Sequence, residues 1–567
     1  MIASRLKIFA DPRRGAWLFY GIWILFSLIQ AYFTELTGDE AYYWKYSQQL
    51  DWGYFDHPPA IAFFIRLGYT LIPNELGVRL FPILLLAGSI FFLQKLIRPR
   101  ERGWFFALIV SVGALHFLGF LALPDAPLLF FASLLLWLFK RYLEQPSWSL
   151  ATWIGLAAGA MVLSKYHALL MIGLLVLSRL RLLLEIRFWW ASLVAALILL
   201  PHLLWQLEHQ FPSIQYHLFE RSVKDYTFEM TSQYLLFQPF VLGPVTGILF
   251  FIAAWRSPNS SPFDRAMKFL FWGGYLFFFL MTFKGRVEAH WTFFCLLPGI
   301  WFGYHWLERS RIFKKIITWS LPVVLFLVLT GTLTWSFGLF IPRNDPDFMN
   351  GTLIENRLWV EEVEALAGDL PVLFMNTYGE ASLYEFYTGR PAASWNNISG
   401  RKNQFDLWGY EKDFFGRRVM VVVNYIKYGE PFIPGVNPRN RQYVFIDDFK
   451  IYEGLKMTAN GLRSECRPGE VLPVKLKVEV PEEVPAVWSR MGSLETCINY
   501  QFFSGDQVVH DWPTPIYFRP SDIIREIEFY VLAPSRPGTY GLHFSLQTEW
   551  YPPGINSSRY EIVVREE

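Results

Sequence analysis

Span-length apolar runs recur through the first 341 residues, and they constrain the fold more than any other feature. They fall at about residues 15–33, 76–97, 103–121, 125–140, 148–163, 166–180, 188–207, 234–255, 266–283, 290–307 and 316–341. A bilayer core takes ~20 helical residues to cross. Backbone N–H and C=O groups in lipid must pair within the segment, so these runs are read as helices. The expectation is a polytopic α-helical membrane protein of about eleven spans. Residues 61–72 are apolar but too short to cross, and read as a re-entrant or surface-lying helix. The basic N-terminus leads into a full-length run without a small-residue cleavage pattern, so it reads as a signal anchor. A net charge of +2 gives no reason to expect nucleic acid as a partner.

Charge is distributed unevenly along the loops. Alternate loops are basic: Arg5, Lys7, Arg13 and Arg14; Arg98, Arg100 and Arg102; Lys140 and Arg141; Arg179, Arg181 and Arg187; Arg256, Arg265 and Lys268; Arg309, Arg311, Lys314 and Lys315. Short basic loops stay on the cytoplasmic side. The remaining loops, and everything after residue 341, are therefore expected outside, with the protein multi-pass in the cell (inner) membrane and its C-terminal domains periplasmic.

The outer loops collect the chemically conspicuous residues. The first, residues 37–59, reads TGDEAYYWKYSQQLDWGYFDHPP and carries Asp39, Glu40, Tyr54, Asp56 and His57. Asp125 stands between two prolines in the second, and Lys165, Tyr166 and His167 adjoin one another in the third. The fourth, about 208–233, carries Glu208, His209, His217, Glu220, Arg221 and Lys224; the fifth carries Lys284, Arg286 and His290. Acids beside a span must face water or a shared cavity. Such a carboxylate can serve as a general base, bind a cation or cap a helix. Thr37-Gly38-Asp39-Glu40 resembles a helix start, so capping accounts for one of its two acids. His57, Lys165, Lys284, Arg286 and His290 can together surround a phosphate, with Asp56, Tyr54 and Tyr166 as further substrate-binding candidates. A plain solvated loop with an aromatic belt and snorkelling cations is the simpler alternative.

Beyond a linker at 342–346, residues 342–449 read as an α/β domain, with strands near 371–375, 419–423 and 442–446 and helices near 358–367 and 379–387. Residues 450–567 alternate with period two near 472–480, 497–503, 524–531, 541–546 and 560–564, as in a β-sandwich. Cys466 and Cys497 pair or stay free according to their separation, which spacing does not give.

The segments at 38–43 (GDEAYY), 52–59 (WGYFDHPP) and 123–127 (LPDAP), with Lys284-Gly285-Arg286 and the 400–406 stretch GRKNQFD, resemble those of the GT-C membrane glycosyltransferases. Among these, the bacterial aminoarabinose (lipid A) transferases and the protein O-mannosyltransferases are most similar. The resemblance covers about residues 15–440. It implies a transferase taking a sugar from a polyprenyl-phosphate donor to an extracytoplasmic lipid, glycan or protein acceptor, with inversion. Asp39 would be the base, with Asp125 and Glu40 in the catalytic set. Asp125 would position the acceptor or, with Asp39, hold a divalent cation (Mg or Mn). His57 stands where the aminoarabinose transferases carry a lysine, which makes a phosphate contact there pH-dependent. A lipid-linked-sugar flippase and a non-catalytic envelope assembly subunit are the alternatives, although repeated halves and broken midplane spans typical of transporters are not evident in the sequence.

Overall fold

A computed structural model describes residues 14–220, 226–337, 339, 356–398, 400–414, 416–423, 433–434, 441–447, 449, 455–480, 496–505, 507–517, 524–548 and 552–566. The basic residues before 14, Arg221 and Lys224, and the 342–346 linker lie outside them, as does the Glu220 side chain. The chain divides into two compact units, Met1–Ile341 and Pro342–Glu567.

The first unit is helical. Among the described residues, five helices are long and apolar enough to cross a membrane: Gly15–Phe33, Glu75–Ile97, Asp125–Glu144, Ile186–Glu208 and Arg311–Phe337. A sixth arises if Phe228–Val241 and Thr246–Arg256, which meet at 93°, count as one bent span. Gly243 sits in that bend at φ 132, a conformation that costs glycine little and other residues much. The other apolar runs are helical but shorter or broken. Residues 103–121 split into Arg102–Ser111 and Gly113–Leu118, and Trp148–Ser164 and His167–Ser178 fall short of the ~20-residue criterion. The expected count of eleven therefore tallies apolar runs, not full-length helices. The short run after the first outer loop forms the Ala60–Leu71 helix.

Helix ends near the first outer loop are fastened by one buried ion pair. The Gly38–Gln48 helix opens with a capping box: Thr37 Oγ1 accepts from the Glu40 N–H, and the Thr37 N–H donates to Glu40 Oε2. Glu40 also receives Arg79 Nε and Nη2, each at 2.7 Å, and both side chains are 0% exposed. The same guanidinium donates to Ala31 O and Thr34 O through Nη1 and to Glu35 O through Nη2. These carbonyls end the first helix, where unpaired C=O groups and the negative end of the dipole favour a cation. Glu40 Oε1 further accepts the Ala122 N–H at 2.9 Å, three residues before Asp125. Four segments thus meet on two side chains.

The second unit begins with a five-stranded sheet. Val372–Met375 pairs in parallel with Ala392–Trp395 and Val419–Val423, which pairs antiparallel with Gln442–Ile446. The Asn356–Ala367 and Tyr378–Thr388 helices accompany it. Two further sheets follow, of five and three strands. Val471–Glu479, Thr496–Ser504, Gly538–Thr548 and Tyr560–Val564 contribute to one apolar core centred on Leu476, Phe502 and Phe544. All three cysteines are free. Cys466 and Cys497 lie in one sheet on strands with two others between them; three steps of ~4.8 Å exceed the reach of a disulfide.

Removing one partner of a buried pair strands the other charge. Glu40→Ala is expected to cost about 3–5 kcal/mol. Asp39→Ala, at the neighbouring exposed position, should change stability by no more than about 0.5 kcal/mol. Thermal unfolding in detergent distinguishes the two.

Candidate functional site

The 37–59 segment folds onto the end of the Ile186–Glu208 helix through a chain of polar contacts. His202 Nδ1 bonds Trp52 O at 2.7 Å, and its Nε2 meets the Tyr166 hydroxyl at 3.2 Å. Gln206 Nε2 donates to Tyr166 Oη and to Ser213 Oγ, which in turn donates to Tyr54 O. Trp205 Nε1 donates to Asp51 Oδ2 at 2.7 Å. Gly53 lies against the Trp205 ring so closely that a Cβ would fall 2.3 Å from it, so only glycine fits.

Inside this loop the acids are satisfied one by one. Asp56 Oδ2 accepts the hydroxyls of Tyr42 at 3.0 Å and Tyr46 at 3.3 Å, and His217 Nε2 contacts the Asp56 carbonyl. Tyr54 stacks on Tyr46 with ring centroids 4.1 Å apart. Its buried hydroxyl faces Tyr46 O and Gln49 O and accepts the Asp51 N–H. Tyr54 is therefore a buried strut and not the substrate contact expected from its place in the loop. Tyr166 points its hydroxyl inward too. Glu40, expected among the catalytic acids, is fully buried, with both oxygens taken by Arg79, Ala122 and Thr37, and it holds the loop.

Asp125 and Lys165 meet each other. Lys165 Nζ lies 2.9 and 2.8 Å from the two Asp125 oxygens, and each residue is 3% exposed. His57 is half-buried nearby. Burial depresses its basicity well below the usual 6.5; Asp56 opposes this, while the charges of Lys165, His217 and His290 reinforce it. His57, Asp56, Lys165, Asp125, His217 and His290 thus form one electrostatic neighbourhood. Asp39 is exposed in the first turn of its helix. Lys284 and Arg286 are also exposed, just before the Ala289–Cys295 turn that carries His290, and neither has an ion pair among the described residues. The divalent-cation site expected at Asp39 and Asp125 does not fit this donor set. An ammonium already bridges both Asp125 oxygens, and no group of three His, Cys, Asp or Glu able to hold a metal occurs among the described residues.

Arg79, Tyr42, Tyr46, His202 and Gln206 were not among the sequence candidates. A lone arginine inside the 76–97 apolar run was the available signal, since a charge within a span needs a partner. The depressed His57 also fixes a pH response. The unfolded chain takes up the proton as pH falls below 6.5 while the folded site resists it. This contribution is whole above that value and is lost toward the lower folded one. Melting temperature is expected to fall between pH ~8 and ~5, with a shallower slope in His57→Gln, at most ~1.4 kcal/mol per pH unit for one group.

Residues 56–205 match the profile of the family described as dolichyl-phosphate-mannose-protein mannosyltransferase. Over 328 residues the chain is 26% identical to the lipid A galacturonosyltransferase RgtD of Rhizobium johnstonii, covering 53% of this chain and 68% of that protein. The crystal structure of ArnT from Cupriavidus metallidurans in the apo state superposes with a TM-score of 0.53 at 13% identity, over 76% of this chain and 97% of ArnT. The same enzyme bound to undecaprenyl phosphate gives 0.51 at 14% identity with the same coverage. At such identities the structural likeness is one of fold. These likenesses are all to membrane glycosyltransferases of the GT-C kind: a family profile over residues 56–205, RgtD by sequence and ArnT by fold.

Proposed function

We propose that the protein transfers a sugar from a polyprenyl phosphate to an acceptor at the outer membrane face, with Asp39 as general base. One observation carries this reading. The Glu40–Arg79 pair and the Ala122 N–H tie the start of the Gly38–Gln48 helix to the segment entering Asp125, while Asp39 beside it stays exposed. Of these candidate acids Glu40, Asp56 and Asp125 are buried and Asp39 is exposed, which makes Asp39 the one most accessible to an acceptor.

Asp39 takes the proton of the acceptor hydroxyl as that oxygen attacks the anomeric carbon. The bond from that carbon to the phosphate oxygen breaks on the opposite face, and polyprenyl phosphate leaves with the electron pair. One displacement inverts the centre. The leaving phosphate is a stable anion, so it needs positive charge and N–H donors more than an acid. Lys284 and Arg286 supply exposed charge, and His57 and His290 supply N–H groups. Lys165 spends two of its three ammonium donors on Asp125 and keeps one for the phosphate. Asp125 then serves as a positioning residue. The similarity to a lipid A galacturonosyltransferase supports a galacturonosyl donor and a lipid A acceptor.

The test incubates the purified chain with undecaprenyl-phosphate galacturonic acid and lipid A, scoring modified lipid A and released undecaprenyl phosphate. Asp39→Asn should lower turnover about 10²–10⁴-fold, the contribution of a positioned base, at unchanged melting temperature. Near-normal turnover would remove Asp39 from the role. Arg286→Gln should raise the donor KM more than it lowers kcat, as expected for loss of a binding charge.

A further inference from the structure

A second basic hollow lies far from this cluster. Lys140 and Asp125 share the Asp125–Glu144 helix fifteen residues apart, about 22 Å at ~1.5 Å per residue. Around Lys140 is a cavity of about 310 Å³, near the lower end of the ~300–1,000 Å³ of small-molecule sites. Its charged walls are Lys140, Arg256 and Arg309; its apolar walls include Phe263, Trp301 and Trp306.

None of the three cations has an ion pair among the described residues. Lys140 Nζ donates to Leu96 O at 3.2 Å and sits 4.8 Å from the Trp301 ring centroid. The Arg256 guanidinium lies 5.9 Å from that of Trp306. Asp264, the single acid among the described lining residues, is already engaged: Oδ1 accepts Trp301 Nε1 at 3.1 Å and Oδ2 accepts Ser261 Oγ at 2.8 Å. Three positive charges against one negative leave the hollow formally +2, with His305 neutral. Snorkelling would send each cation separately to water. Here they converge on a concave surface walled by the buried Phe263 and Trp301 rings.

We propose that this cavity binds a phosphate ester: Lys140, Arg256 and Arg309 take the phosphate oxygens, and the aromatic wall takes the first carbons of the attached group. Basic pockets between membrane helices suit anionic lipid headgroups. A free phosphate offers the same charge, and the two sources separate in the experiment.

Native mass spectrometry of the full chain in detergent, titrated with dioleoylphosphatidylglycerol, dioleoylphosphatidylcholine or inorganic phosphate, tests the site. The anionic lipid should bind more tightly than the zwitterionic one. Arg256→Gln with Arg309→Gln, both at exposed positions, should weaken it about thirtyfold for two lost charges, at unchanged melting temperature. Lys140→Arg keeps the charge and should keep the binding. Lipid that excess inorganic phosphate does not displace assigns the site to the bilayer; displacement assigns it to soluble phosphate, and either upholds a phosphate site. Equal affinity of the double variant and the parent, or no binding of any probe to the parent, overturns it.

Discussion

The pairing of Arg79 with Glu40 is the contact on which the candidate-site end of the helical unit depends. Two charges at 0% exposure would be a net cost if they satisfied only each other. Here the guanidinium also takes three carbonyls at the end of the first helix, and the carboxylate takes a capping N–H and the Ala122 N–H. Every donor and acceptor is used, which is the condition under which a buried pair holds a geometry instead of weakening it. The pair thereby fixes where the Gly38–Gln48 helix starts, and so where Asp39 stands.

A second set of contacts holds the rest of the first outer loop against the Ile186–Glu208 helix and the turn after it. Tyr42 and Tyr46 donate their hydroxyls to Asp56, and Lys165 pairs its charge with Asp125. Carboxylates treated this way are scaffolding for a ligand more than reagents toward it. Among the candidate site acids, Glu40, Asp56 and Asp125 are buried and Asp39 is exposed, and this division gives the proposed chemistry its asymmetry. A base must be open to its substrate, whereas the groups that orient it gain from being locked.

The histidines add a further property. Burial opposes the protonation of His57, and the charges of Lys165, His217 and His290 add to that opposition while Asp56 works against it. A neutral His57 offers an N–H donor near neutral pH without adding charge. A leaving phosphate would then meet its fixed charge mainly at Lys165 and at the exposed Lys284 and Arg286. The opposite end of the Asp125–Glu144 helix is organised differently. There Lys140 and Arg256 rest on indole faces, with no carboxylate pairing them among the described residues, so their charge remains available.

Much of the architecture was legible in the chain itself. Apolar run length exposed the helical membrane unit, because backbone in lipid has few ways to satisfy its hydrogen bonds. Short apolar runs exposed Val372–Met375, Val419–Val423 and Gln442–Ile446, and period-two alternation exposed several strands of the later sheets, although Ala392–Trp395, Lys456–Asn460 and Gln507–Tyr517 escaped both. The segments bearing Asp39, Asp56, Asp125, Lys165 and His290 were also visible as polar residues where apolar ones prevail. Tertiary structure alone decided what each of them does. Glu40 and Asp39 are neighbours of nearly the same chemistry, and nothing local says which one turns inward. That depends on an arginine 39 positions further on and a backbone N–H 82 positions further on. Sequence determines which groups are too costly to leave in lipid; only the packed chain determines which of them are buried and which stay exposed.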